Sequence, residues 1–187
     1  MSRLFLGVAV FLGLAGAPPA AAQAPAAPAP PPLGCDTPES HQFDFWVGKW
    51  EVHPNGADTI IAHSLIEKRY SGCAVRENWM PVGKESTGGG GSLSLYDEAL
   101  KKWRQTWIDS TGTRVDLDGG LVAGVMSITG SWANFNGPGK SALVRMNYQL
   151  QPDGQVRQWA QASADGGKTW QPAFDFLYRR VKEFPEF

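Results

Sequence analysis

Turn-forming residues recur through this chain at short intervals: Pro54-Asn55-Gly56, Gly88-Gly89-Gly90-Gly91, 97–101, Ser110-Thr111-Gly112, Asp118-Gly119-Gly120, Asn136-Gly137-Pro138-Gly139, Pro152-Asp153-Gly154 and Asp165-Gly166-Gly167. Gly supplies positive φ, Pro presets its own φ, and Asn and Asp bond their neighbouring backbone, so such clusters reverse the chain. Between them lie runs of roughly six to twelve residues rich in Trp, Val, Ile, Thr, Tyr and Phe, none with a sustained apolar repeat at helical spacing. The spacing predicts an all-β fold of about eight to ten strands, joined mostly as antiparallel hairpins. A meander that long must deal with its edges, and closure into an up-and-down barrel removes them. A sandwich of two sheets is the alternative architecture. The aromatic stretch over 43–52 is expected to be the first strand.

Alternation identifies faces in several runs. Val144, Met146, Tyr148 and Leu150 share one side against Arg145, Asn147 and Gln149; Phe174, Phe176 and Tyr178 share one side against Asp175 and Arg179. Other runs mix chemistries. One face of 102–110 carries Trp103, Gln105, Trp107 and Asp109, and one face of 74–81 carries Val75, Glu77 and Trp79. Aromatic and polar groups together suit the lining of a cavity. The alternative is that the tryptophans pack and the polar groups satisfy one another.

The ends of the chain read differently from its middle. Met1-Ser2-Arg3, the apolar run from Leu4 to Leu14 and Ala20-Ala21-Ala22 have the order of a secretory signal peptide over 1–22, too short to span a bilayer. Residues 23–34 are nearly all Ala and Pro and make a disordered linker. The folded domain is then 35–187, exported to the periplasm or secreted, with no integral membrane segment in the mature protein. A membrane-anchoring helix is the alternative for the leader, and Gly13, Gly16, Pro18 and Pro19 interrupt it. With 17 basic and 18 acidic residues the chain is nearly neutral, which offers nucleic acid no basic stripe and a membrane surface no polybasic helix. In an oxidising compartment its two cysteines, Cys35 and Cys73, are expected to pair.

Gly48-Lys49-Trp50 resembles the Gly-x-Trp signature of lipocalins and the wider calycin group. That resemblance implies a barrel whose Trp50 closes one end beneath a basic side chain of the last strand, here Arg179 or Arg180, with a structural role for Gly48 and Trp50. More broadly, Phe43-Asp44-Phe45-Trp46 before Gly48-x-Trp50, then Glu77-Asn78-Trp79, the run 103–109 and the run 163–170, is similar to a group of small exported bacterial proteins of unknown function with a lipocalin-like fold. The similarity spans about 42–180 and implies a fold without an assigned chemistry. Ser163-x-Asp165-x-Gly167-x-Thr169-Trp170 also matches the Asp-box of sialidases and other β-propellers, but one copy makes a hairpin turn and no propeller.

Reaction motifs are scarce. Gly90-Gly91-Ser92-Leu93-Ser94 lacks the second Gly of a nucleophile elbow, and the glycine run before it is not followed by Lys and Ser or Thr as a phosphate loop requires. The three histidines, His41, His53 and His63, have no metal-pair spacing, so neither metal nor cofactor is expected. Glu77 and Asp109 remain as candidate acid–base groups, with Arg104, Arg145 and Arg157 as candidate partners. The ligand-binding candidates are Glu77, Trp79, Trp103, Gln105, Trp107, Arg145 and Trp159. The function expected first is binding of a small, mainly apolar or amphipathic molecule in an aromatic-lined barrel. Two alternatives stand beside it: a metal-free lyase, cyclase or isomerase using an acidic residue, and a packed envelope protein whose surface meets another protein.

Overall fold

The computed structural model describes residues 35–83 and 88–184. The expected leader over 1–22 and linker over 23–34 lie outside the described residues. Ten strands follow one another: β1 (Gly48–Pro54), β2 (Ala62–Arg69), β3 (Ala74–Pro81), β4 (Gly90–Asp97), β5 (Lys102–Asp109), β6 (Arg114–Val122), β7 (Val125–Trp132), β8 (Ala142–Leu150), β9 (Val156–Ser163) and β10 (Gln171–Val181). Each pairs antiparallel with the next, and β1 pairs with β10. The sheet is a closed up-and-down barrel without a free edge, as the turn spacing predicts. β1 leaves from what we call the lower end, and β1, β3, β5, β7 and β9 all run towards the upper end.

The first strand is shorter than expected. Phe43 caps a 3-10 turn over Asp44–Trp46 below the barrel, and β1 begins only at Gly48. The physical reason lies in the spacing of Phe43 and Trp46. Three residues apart, they would sit on opposite faces of a strand, whereas a 3-10 turn brings them to the same side. Both rings are fully buried and stacked with centroids 4.9 Å apart. They plug the lower end: Phe43 meets Trp103 at 5.5 Å and Tyr148 at 5.0 Å, and Trp46 meets Tyr148 at 4.8 Å and Tyr178 at 6.0 Å. Asp44 ties the turn to the barrel by accepting hydrogen bonds from Lys68 of β2 and from His41.

Closure of the lower end continues at Trp50. The register sets Trp50 opposite Arg180, whose guanidinium lies 4.2 Å above the indole and donates to the Val47 carbonyl at 3.1 Å. A Cβ on Gly48 would overlap that guanidinium, so the missing side chain is what lets Arg180 reach across. Arg179, the other basic residue considered for this role, points to the outer face and pairs with Asp58 at 2.9 Å. Successive strand residues alternate in direction, so only one of the two arginines can cover Trp50.

A disulfide joins Cys35 to Cys73, fixing the segment that carries the plug to the turn before β3. It closes a loop with a sequence separation of 38. Replacing both cysteines with serine should lower the unfolding free energy by about 2–4 kcal/mol, read as a shift of the urea midpoint. An unchanged midpoint would show that the plug holds without its clamp. Arg180→Ala should cost about 1 kcal/mol in the same assay through loss of the cation–π contact.

Candidate functional site

Inward-facing residues change character along the barrel axis. The lower half is apolar and aromatic, whereas a polar layer crosses the middle. It begins at Glu77 of β3, which is 4 % exposed although the neighbouring strands place Ile66 and Ser92 directly beside it. Ser64 Oγ donates to Glu77 Oε1 at 2.9 Å and Ser92 Oγ donates to Oε2 at 3.3 Å. Tyr178 OH lies 3.3 Å from Glu77 Oε1 and 2.7 Å from Gln158 Oε1. Gln158 Nε2 donates to Tyr148 OH at 3.2 Å, Tyr148 OH donates to Gln105 Oε1 at 3.2 Å, and Gln105 Nε2 donates to Ser94 Oγ at 2.9 Å. The chain of bonds spans the barrel from β3 to β4 by way of β10, β9, β8 and β5.

Tyr178 has one hydroxyl proton and two acceptors within reach, which makes the layer sensitive to the state of Glu77. With Glu77 protonated, its O–H can donate to the Tyr178 oxygen while Tyr178 donates to Gln158, so neither acceptor competes for the Tyr178 proton. With Glu77 ionised, Tyr178 serves either the carboxylate or the amide oxygen, and one of them goes short. No Lys, Arg or His among the described residues pairs with Glu77, in contrast to the ion-paired carboxylates of the outer surface. Burial therefore dominates and pushes the carboxyl from its ordinary 4.5 up to about 7, the hydrogen bonds from Ser64, Ser92 and Tyr178 offsetting only part of that rise. Burial and the nearby Glu77 charge likewise hold the Tyr148 and Tyr178 phenols above their usual range, so both stay neutral.

Above this layer the barrel is hollow. A cavity of about 160 Å³ has Glu77, Gln158 and Tyr178 at its floor. Its walls are Trp79, Trp107, Trp132, Met146, Phe174 and Phe176. Trp79 and Trp107 meet edge to face at 6.5 Å, and Phe174 stacks on Phe176 at 4.8 Å. Two local devices hold Trp107. A Cβ on Gly90 would overlap its ring, so glycine on β4 makes room for it, and Asp109 Oδ2 accepts its indole N–H at 3.2 Å. A register shift between Pro172 and Phe174 in β10 lies beside the wall residue Phe174.

The residues singled out from sequence divide into three groups. Glu77, Trp79 and Trp107 border the cavity. Trp103 and Gln105 face inward below it, the first packed on Phe43 and donating to Gln42 Oε1 at 3.2 Å, the second in the polar chain. Arg145 and Trp159 lie on the outer face instead: Arg145 stacks over Trp170 at 4.0 Å, and Trp159 lies beneath Arg157 at 4.9 Å. On β9 the inward positions are Val156, Gln158 and Ala160, so the Trp159 indole, one residue out of phase with them, lies on the outer side with Arg157 and Gln161. Asp109 is a turn cap. Partial burial raises its carboxyl, but hydrogen bonds from Thr111, Trp107 and Thr113 outweigh that and hold it below its usual range, which suits an anchor more than a proton carrier.

Tyr178, Tyr148, Gln158, Ser64 and Ser92 of the polar layer, and Trp132, Met146, Phe174 and Phe176 of the cavity wall, are the site residues that sequence reasoning did not select. The tyrosines were already on the right faces of their strands, and their shared link to Gln158 requires three-dimensional proximity to see. The Asp-box segment forms the expected turn, with Asp165 accepting from the backbone of Lys168 at 3.0 Å and Thr169 at 2.9 Å. No protein-family model matches the chain, and no curated protein matches it.

The raised Glu77 pKa fixes the sign of a pH effect. Between its ordinary 4.5 and about 7 the folded protein holds a proton that the unfolded chain has released, so stability is fully present below 4.5 and falls as pH rises to about 7. The difference amounts to about 3 kcal/mol. Urea unfolding of wild type and Glu77→Gln across this range should show a decline in the first and none of that component in the second. Parallel profiles would show that Glu77 ionises in the folded barrel as it does in the unfolded chain.

Proposed function

We propose that the protein binds a small, mainly apolar molecule in the upper cavity. The observation that carries this reading is a hollow of about 160 Å³ whose walls are five aromatic rings and a methionine while the lower half of the same barrel is filled. Empty apolar space inside a protein forfeits dispersion contacts, and a ring compound entering it would restore them. The chosen size is that of one aromatic ring with a short substituent. Export to the periplasm or beyond is part of the proposal; the Cys35–Cys73 disulfide supports it, because such bonds persist in oxidising compartments.

A second reading rests on Glu77 alone. A carboxyl poised at about 7 on the floor of an aromatic-walled cavity has the properties of a general acid or base, and a bound substrate would meet it there.

Native mass spectrometry of protein purified from an exporting host should retain a small molecule, and single-ring compounds should quench Trp79, Trp107 and Trp132 fluorescence. Met146→Trp, which fills the hollow, should abolish quenching and retention while the barrel stays folded. If wild type binds no ring compound and carries no adduct, the container reading fails, and a packed barrel that meets a partner through its surface takes its place. Turnover of a bound compound, lost in Glu77→Gln with binding intact, would establish the second reading.

A further inference from the structure

The floor of the cavity offers acceptors in excess of donors. An ionised carboxylate has about four acceptor positions, and Glu77 receives three protein hydrogen bonds at most, from Ser64, Ser92 and Tyr178. Oε2 has Ser92 alone, at 3.3 Å. Gln158 Oε1, also on the floor, depends on the same single Tyr178 proton. A ligand that fits this floor brings N–H donors and positive charge. The walls ask for the same thing: the faces of Trp and Phe rings attract a cation through their quadrupoles, most strongly where water is excluded.

We infer that the cavity is selective for a small organic cation, an apolar body of about one ring bearing an ammonium group, whose nitrogen pairs with Glu77 and Gln158 while the body lies among Trp79, Trp107, Trp132 and Phe176. This rests on the container reading and specifies its occupant. The ammonium supplies the donors that the ionised layer lacks and the counter-charge that the barrel does not provide. A buried charge is costly alone and far less so when paired, so pairing is worth more here than at the surface. The titratable groups facing Glu77 are Tyr178 from β10 and Tyr148 from β8, both neutral, while β2 presents Ser64 and Ile66 and β4 presents Ser92, none of them titratable. Binding of the cation therefore draws Glu77 into its ionised form, and the released proton goes to solvent.

The test compares benzylamine with benzyl alcohol, which share a ring and differ in charge, by tryptophan quenching and calorimetry on the purified protein. At about pH 8 benzylamine should bind about tenfold or more tightly than the alcohol, and it should weaken by at least about tenfold at about pH 5.5, where Glu77 is protonated, while the alcohol changes little. Calorimetry in buffers of different ionisation enthalpy at about pH 6.5 should reveal proton release with the amine alone. Glu77→Gln should erase the amine's advantage and leave alcohol binding intact; should that variant not fold, the two pH series on wild type decide the question. Equal affinities overturn the cation inference and leave the container reading standing. Failure of both compounds to bind overturns both.

Discussion

Stacking of Phe43 on Trp46 beneath the barrel is the contact on which the rest of the structure depends. The pair fills the lower end and touches Tyr148, with Trp46 also reaching Tyr178, the two phenols that hold Gln158 and so complete the polar layer. A ten-stranded cylinder is wider than side chains from its strands can readily fill. Here a non-strand segment supplies the missing volume at one end only. The Cys35–Cys73 bond, the Asp44–Lys68 pair and the Arg180–Trp50 contact all restrain that segment or the strand that follows it.

The unpaired carboxyl marks the boundary between the filled and hollow halves. Proteins seldom bury an acid without a partner, because desolvation of the charge costs more than the surrounding hydroxyls return. Glu77 is nevertheless held in place by serines from both neighbouring strands, so its position is fixed whether or not it carries charge. Stability is therefore linked to the charge of one group: the protonated form suits the barrel's own hydrogen bonds, and the ionised form is the one that the proposed cationic guest would select. An apolar residue would have packed more cheaply at this level. The polar layer is best understood as an adaptation of the cavity floor.

Much of the fold was legible because strand periodicity is local. The turn clusters gave a closed antiparallel meander, and the faces carrying Met146 with Tyr148 and Phe174 with Phe176 and Tyr178 follow from alternation. Pairing of Cys35 with Cys73 followed from there being two cysteines in a chain expected to leave the cell. The errors share one cause. Alternation groups residues by parity without saying which parity points inward, so Trp159 was taken for a wall residue when Arg157 packs over it outside. Phe43 and Trp46 were assigned to a strand although their spacing of three suits a 3-10 turn.

The amino-acid order by itself determined that the chain is a succession of antiparallel strands, since turns and the two-residue repeat are local; closure of Trp50 by a basic last strand was implied by the resemblance to lipocalins, and only the register of β1 against β10 chose Arg180. Only the tertiary structure decided that Glu77, Gln158, Tyr178 and three tryptophans converge on one hollow. Those residues come from β3, β5, β7, β9 and β10, and barrel closure, together with the register of each hairpin, sets their heights along the axis. A one-residue slip in any strand would turn its contribution outward, which is why no local pattern could announce the site.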